Sequence, residues 1–405
     1  MAKILFLSHR APFPPDKGDK IRAFHMLRHL ARRHEVWFGA GADDVGTSEQ
    51  ADVGDFSLRD ACIAPLSPLR RGWNMVGGLA AGAPLSVSRF RHGRLERWIQ
   101  QVLTHVRPDI VFIYSSAMAQ YVVGRTAPGT RLIIDFVDAD AEKWRAYAAT
   151  ARFPMTVVFA REARRLTLFE RRALDAAEAG IVISETERGL LSAQIPSGAG
   201  KLRVLSNGVD LDYFAPAPGA GDGRSIVFCG RMDYQANADG AAWFARDVFP
   251  RILRSRPDAT FRIVGACPTP AVRALGTLAG VEVTGAVPDV RPYLREAAVV
   301  VAPLRIARGI QNKVLEAMAS ARPTVVTPAA LDGIDAADDY EVLVGADADG
   351  FARAVLDVLA GRTMPWLGEN GRRFVELRHQ WTTQLLALDR LIDNEDHRRS
   401  AEAAA

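Results

Sequence analysis

Cysteine is scarce in this 405-residue sequence: only Cys62, Cys229 and Cys267 occur. They are far apart, odd in number and without ligand-like spacing, which argues against a disulfide framework or a zinc cluster and fits a reducing, cytoplasmic setting. Long apolar runs are missing too. The longest mild candidate, Trp73 to Val87, is interrupted by glycines, a proline and an asparagine, and falls short of the roughly 18 to 20 apolar residues of a membrane span. The opening run Ile4 to Leu7 is too short for a signal peptide and meets His9, Arg10 and prolines at once, so it reads as a strand. No excess of one charge exists either. Lys plus Arg number 51 against 47 Asp plus Glu, and a net +4 is too small for wholesale nucleic-acid binding. Any anionic partner has to be met locally. Strand one is not followed by Gly-x-Gly-x-x-Gly, which argues against a nicotinamide dehydrogenase.

What the sequence does have is length and alternation. A chain this long exceeds what one core usually supports, and 48% hydrophobic with 24% charged residues is ordinary globular composition. Short β-rich runs alternate with helical patterns: Ile4–Leu7, 22–33, Val36–Gly39, 94–106, Ile110–Tyr114, Leu132–Phe136, 161–177, Gly180–Ser184 and 185–191. The alternation predicts a parallel sheet covered by helices. A turn-rich, glycine- and proline-bearing stretch then intervenes, and the pattern restarts at Ser225–Cys229 and runs to 351–360. This gives an α/β chain with a first domain over 1–195, a linker over 196–224, a second doubly wound domain over 225–375, and a C-terminal helix with a frayed tail over 376–405. That helix is expected to return to the first domain.

The most informative segment runs from Val299 through Arg308, Gly309, Ile310, Gln311, Asn312, Lys313 and Glu316 to Pro323 and a valine-rich run. It reads as strand, glycine-bearing loop, helix and next strand. Amides at such a helix start carry partial positive charge suited to a diphosphate, and Gly309 permits close approach. Lys313 is unfavourable in a first helical turn unless an anion binds there. Glu316, near the same helix start, is placed to accept hydrogen bonds from ribose hydroxyls. A solvated helix start with a Lys–Glu pair fits the segment as well. A second strand ends in Gly230-Arg231, with Asn237 shortly after, and a guanidinium fork suits paired phosphate oxygens. In the first half, the loop from His9 to Arg22 contains Lys17, Gly18, Asp19 and Lys20. Asp138 and Asp140 end a buried strand, where helix capping, hydroxyl binding or metal ligation are all open readings.

These strings resemble the donor-site signature of the retaining GT-B glycosyltransferases, the group 1 or family 4 type, including Leu-Glu-Ala-Met-Ala ahead of Pro323. The resemblance implies two Rossmann-like, doubly wound parallel-sheet domains facing a cleft. It implies a nucleotide-diphosphate sugar as donor, a glycan or lipid-linked acceptor, and no metal or other cofactor. Arg231 and Lys313 would stabilise the leaving diphosphate, with Gly230, Gly309, Ile310, Gln311 and Asn312 around it and Glu316 on the ribose. Gly18, Asp19, Lys20, Asp138 and Asp140 would serve the acceptor side. Arg308 stands where relatives have a sugar-binding glutamate, Asn237 near where they have a lysine, and Val137 where many have histidine, so those roles do not transfer. Asn207-Gly208 resembles the family's junction between lobes, although Asn-Gly marks a turn in any fold. Lys-Gly-Asp-Lys-Ile-Arg, Asp-Phe-Val-Asp-Ala-Asp and Gly-Ile-Gln-Asn-Lys are most similar to sugar transferases of PEP-CTERM and exosortase exopolysaccharide systems. A sugar-nucleotide epimerase of the same fold and a noncatalytic sugar-nucleotide-binding protein are the alternatives. Leu69 to Trp73, and Arg89, Arg91, Arg94 and Arg97 with Phe90 and Trp98, also suggest peripheral contact with an anionic membrane.

Overall fold

The computed structural model describes residues 1–15, 18–42, 56–216, 219, 221–363 and 366–393. Lys17, part of the turn-rich linker and the tail from His397 lie outside them. The chain divides into two units, residues 1–205 with 385–405 and residues 206–384.

The first unit holds a seven-stranded sheet: β1 Lys3–Ser8, β2 Glu35–Ala42, β3 Leu58–Pro65, β4 Ile110–Tyr114, β5 Arg131–Val137, β6 Ala179–Val182 and β7 Leu202–Val204. Its order is β3-β2-β1-β4-β5-β6-β7, with every neighbouring pair parallel. Parallel strands need crossovers and are covered on both faces, so the central ones are almost uniformly apolar. Leu5, Phe6, Leu7, Val111, Phe112 and Ile113 are all inaccessible to solvent. Residues 202–204, which the turn-rich texture assigns to a linker, instead form the edge strand of this sheet. Three residues are too few for a periodic signal.

The second unit repeats the plan with six parallel strands: β8 Ser225–Cys229, β9 Thr260–Val264, β10 Val281–Gly285, β11 Val299–Ala302, β12 Thr324–Val326 and β13 Leu343–Val344, in the order β10-β9-β8-β11-β12-β13. The strand order reverses between β1 and β4 in one sheet and between β8 and β11 in the other. Such switch points open a crevice at the carboxyl ends of the strands, where α/β proteins bind ligands. The division between the units falls within the last helix, Trp381–Ile392. In the first unit, Arg131 donates to the carbonyls of Leu391 and Ile392, both at 2.6–2.7 Å.

Candidate active site

At the switch point of the second sheet, β8 is followed by Gly230 and Arg231, and β11 leads through a loop into the helix Asn312–Ala319. That loop turns at Gly309, whose φ of +64° is left-handed and natural only to glycine. Buried Ile310 anchors it. The Gln311 amide folds back to donate to the carbonyls of Arg308 and Gly309, each at 3.1 Å, so the loop is fixed before any ligand arrives. At the helix start the Val314 amide donates to the Gln311 carbonyl at 2.9 Å, while the first amides of any helix lack the acceptor four residues back.

Lys313 is partly buried and extends past Gly230, where an added Cβ would lie 2.8 Å from the Asn237 amide nitrogen and 3.5 Å from Lys313 Cε. The Lys313 ammonium donates to Asn237 Oδ1 at 3.1 Å and Gln311 Oε1 at 3.3 Å, while Asn237 Nδ2 donates to the Arg231 carbonyl at 2.8 Å. Asn237 is therefore a bracket joining the two ends of the site, a role the sequence did not reveal because the two segments are far apart in the chain. Burial lowers the Lys313 pKa to about 8, against the pull of Glu316 and the Cys229 thiol. Burial likewise raises Glu316 to about 7, with Lys313 opposing the shift.

Arg231 is held at the rim by Asp233, with contacts of 2.8 and 3.2 Å, and its Nη2 lies 3.5 Å from Cys267 Sγ. A half-exposed pair of this kind is worth about 0–1 kcal/mol and is easily exchanged for a phosphate. Arg308 is exposed and joins no ion pair among the described residues. Asn207 is buried and donates to the Asn312 side chain at 3.0 Å, and a Cβ on Gly208 would meet Trp381 at 2.5 Å. The Asn-Gly turn thus braces the start of the helix Asn312–Ala319.

The first sheet gathers a different chemistry at its switch point. Arg22, one of the cations of the N-terminal loop, is not available to an anion: it lies 1% exposed against fully buried Asp135, with Nε to Oδ2 at 2.8 Å. Such a pair is costly to break once buried. Asp135 Oδ1 also accepts from the Val137 amide, which fixes Val137 at a φ of +67°, a strained conformation for a β-branched residue. The helix Gly18–Arg33 starts at Gly18, and the Tyr114 hydroxyl donates to the Asp19 carbonyl at 2.7 Å. Burial would raise the Asp19 carboxyl, but His9 and Arg10 outweigh it and hold it well below the usual range. Lys20 follows in the same first turn.

Asp138 and Asp140 do not cap the helix Asp140–Thr150 by a side-chain hydrogen bond; its N-cap residue is Ala139, whose amide donates to Glu187 at 2.7 Å. Asp138 Oδ1 is buried with no hydrogen-bond partner among the described residues. Burial, then Glu187 and Asp140, push its carboxyl up to about 7. Glu187 and His9 are members of this cluster that the sequence reading left out. The stacking of His9 on Tyr114, at 5.9 Å between centroids, depends on pairing between strands far apart in sequence. Among the described residues no group of three or more His, Cys, Asp or Glu side chains is arranged to hold a metal ion.

Residues 223–361 match the family described as glycosyl transferases group 1. No curated protein sequence matches the chain. Among solved structures it is similar in fold to sucrose-phosphate synthase from Thermosynechococcus elongatus, with 18% identity, a TM-score of 0.73 and 100% of both chains covered. It is similar to Anabaena HepE in complex with UDP and glucose, with 13% identity, a TM-score of 0.67 and coverage of 97% of this chain and 100% of that one. WaaG, a glycosyltransferase involved in lipopolysaccharide biosynthesis, shares 16% identity and a TM-score of 0.65 over 95% of this chain and 98% of its own. The chain therefore has the GT-B fold, and a stretch of its second unit, residues 223–361, matches the group 1 glycosyl transferases.

Proposed function

We propose that the enzyme moves a sugar from a nucleotide-diphosphate sugar to a hydroxyl of a glycan or lipid-linked acceptor, with retention at the anomeric carbon, in the manner of the PEP-CTERM-associated exopolysaccharide transferases it resembles. The observation that carries this reading is the cationic constellation at β8 and β11: Lys313 bracketed by Asn237 beside Gly230, with Arg231 on the adjoining rim and a helix start behind the left-handed Gly309. HepE, similar in fold, is also seen in complex with UDP-glucose.

In this reading the bond from the anomeric carbon to the diphosphate breaks, and Lys313, Arg231 and the helix amides take up the charge on the leaving oxygen. The acceptor oxygen bonds the same face of the anomeric carbon, and its proton passes to a diphosphate oxygen, so no dedicated protein base is required. Glu316 accepts from the ribose. The unpartnered Asp138 oxygen, with Asp140 beside it, accepts from acceptor hydroxyls. Exposed Arg308 favours a donor sugar bearing a carboxylate, which it can grip in bidentate fashion. Because cationic side chains carry the phosphate charge, the reaction needs no metal.

Turnover of a panel of nucleotide sugars tests the assignment. Arg231→Ala and Lys313→Ala should each lower kcat/KM with the true donor about a hundredfold or more while circular dichroism stays unchanged. A variant that keeps wild-type kcat/KM removes its residue from the site, and an isomerised sugar nucleotide formed without transfer replaces the reading with an epimerase.

A further inference from the structure

The helix Pro68–Ala80 in the first unit is amphipathic in the reverse of the usual sense. Its inward side is polar or small: Arg70 Nη1 lies 3.0 Å from His92 Nε2, Asn74 donates to the Arg91 carbonyl at 2.7 Å, and Gly78 packs so tightly on Ser88 that a Cβ would come within 2.2 Å of its Oγ. These positions are spaced by four. The outward side carries Leu69, Trp73, Val76 and Leu79 at spacings of four, three and three, and they are 80%, 76%, 60% and 53% exposed. A folded enzyme has no reason to spend its largest apolar side chains on water, and an exposed stripe of this kind marks a contact surface.

A second group of exposed apolar side chains lies in the same unit. Phe153, Met155, Val157 and Val158, at and just before the start of the helix Met155–Ala176, are exposed. The segment that follows the helix Pro68–Ala80 is bonded to this second helix one to two turns beyond its start: Arg161 donates to the Ala83 carbonyl at 3.2 Å, and the Glu162 carboxylate accepts from the Leu85 and Ser86 amides at 2.8 and 2.7 Å. Phe90 and Trp98, which the sequence suggests as apolar members of such a surface, serve the fold instead. Phe90 is buried, and the Trp98 indole donates to Asp60 at 2.8 Å.

Charge decides what covers the stripe. From Ala61 to Leu95 there is no aspartate or glutamate, while Arg71, Arg89, Arg91 and Arg94 fall within it besides the inward-facing Arg70; Arg91 pairs at 3.8 Å with Glu96 just beyond. A second copy of the chain would bring one cationic rim against another, which like-charge juxtaposition disfavours. An anionic lipid surface instead meets arginines with phosphates and the apolar stripe with acyl chains, the arrangement of interfacial helices. We propose that the helix Pro68–Ala80 and the tip at 153–158 form a two-part platform that docks the first unit on an anionic membrane surface, with Trp73 and Leu69 inserted below the headgroups. This inference stands apart from the transfer reading and is tested separately.

The full chain should float with vesicles of phosphatidylcholine and phosphatidylglycerol at low salt, and not with phosphatidylcholine alone. Binding should fall severalfold when salt is raised to about 0.5 M, where screening shortens to a few ångströms. Leu69→Ser with Trp73→Ser should lower the bound fraction at least tenfold, with circular dichroism unchanged because both residues are exposed. A blue shift of tryptophan emission on anionic vesicles should disappear in Trp73→Phe, which keeps the fold whatever happens to the double variant. Absence of binding to anionic vesicles at low salt would overturn the proposal, as would binding undiminished in the double variant. A dimer seen by light scattering and dissolved by the same two substitutions, without vesicle binding, would assign the face to a second copy instead.

Discussion

Lys313 and Glu316 show how much of a site rests on single side chains held away from their ordinary ionisation. A lysine in a first helical turn opposes the helix dipole, and burial adds to its cost, so the charged form becomes fully favourable only when an anion is bound. In the proposed reaction Glu316 must be ionised to accept from ribose, and Lys313 protonated to hold phosphate. Affinity for a nucleoside diphosphate is thus expected to rise as pH climbs through about 7 and to fall as it passes about 8. Calorimetry across this range checks it, and Glu316→Gln should weaken binding by about 1.5–3 kcal/mol and erase the acid limb. Asp138 makes the opposite point about stability. Its folded pKa, about 7, is raised above the unfolded value, so its stabilising contribution is complete at low pH and is lost as pH rises through about 7. Asp138→Asn should therefore gain on wild type by on the order of 1–3 kcal/mol by pH 8 and progressively less toward pH 4. A urea-unfolding difference that stays constant with pH would remove the strain assigned to this carboxylate. Residues of this kind were legible in the sequence when they sat within one segment, as Gly309, Lys313 and Glu316 do. The buried pairing of Arg22 was not legible, because its partner Asp135 is reached only through the pairing of β4 with β5 and the packing of the first helix.

At the scale of elements, the alternation of apolar runs and helical patterns carried the central strands clearly. Strands buried on both faces must be continuously apolar, and helices between them must be amphipathic. The edges were less visible. β3 contains Arg59 and Asp60, and β7 and β13 have only three and two residues, so none offers a long apolar run. The helix Pro68–Ala80 was also missed as an element, since its glycines weaken helix propensity and its polar face points inward. The loop between β8 and the helix Gln235–Trp243 gives the sharpest test of element geometry. Gly230→Ala forces a Cβ to within 2.8 Å of Asn237 Nδ2, which must shift and release Lys313. The expected result is a loss of turnover approaching that of Lys313→Ala with thermal stability little changed, measured by kinetics and scanning calorimetry side by side. Wild-type kcat/KM in this variant would show that the bracket is dispensable.

For the molecule as a whole, two sheets of the same doubly wound plan put their functional groups at equivalent places, the carboxyl ends of the strands flanking each order reversal. One crevice is cationic and the other rich in carboxylates. That division of charge, more than any single motif, separates a phosphate-bearing donor from a hydroxyl-bearing acceptor in the proposed reaction. It could not be read from net charge, which is nearly balanced, nor from the linear order of charged residues. It required knowing which strands are adjacent. The most direct test of the central claim is isothermal titration of nucleoside diphosphates against the wild-type chain and Lys313→Ala, in the presence of chelator. The account predicts saturable binding by wild type that chelator leaves intact and that Lys313→Ala weakens at least tenfold. Binding that vanishes with chelator and returns with magnesium or manganese, or that Lys313→Ala leaves unchanged, would contradict it.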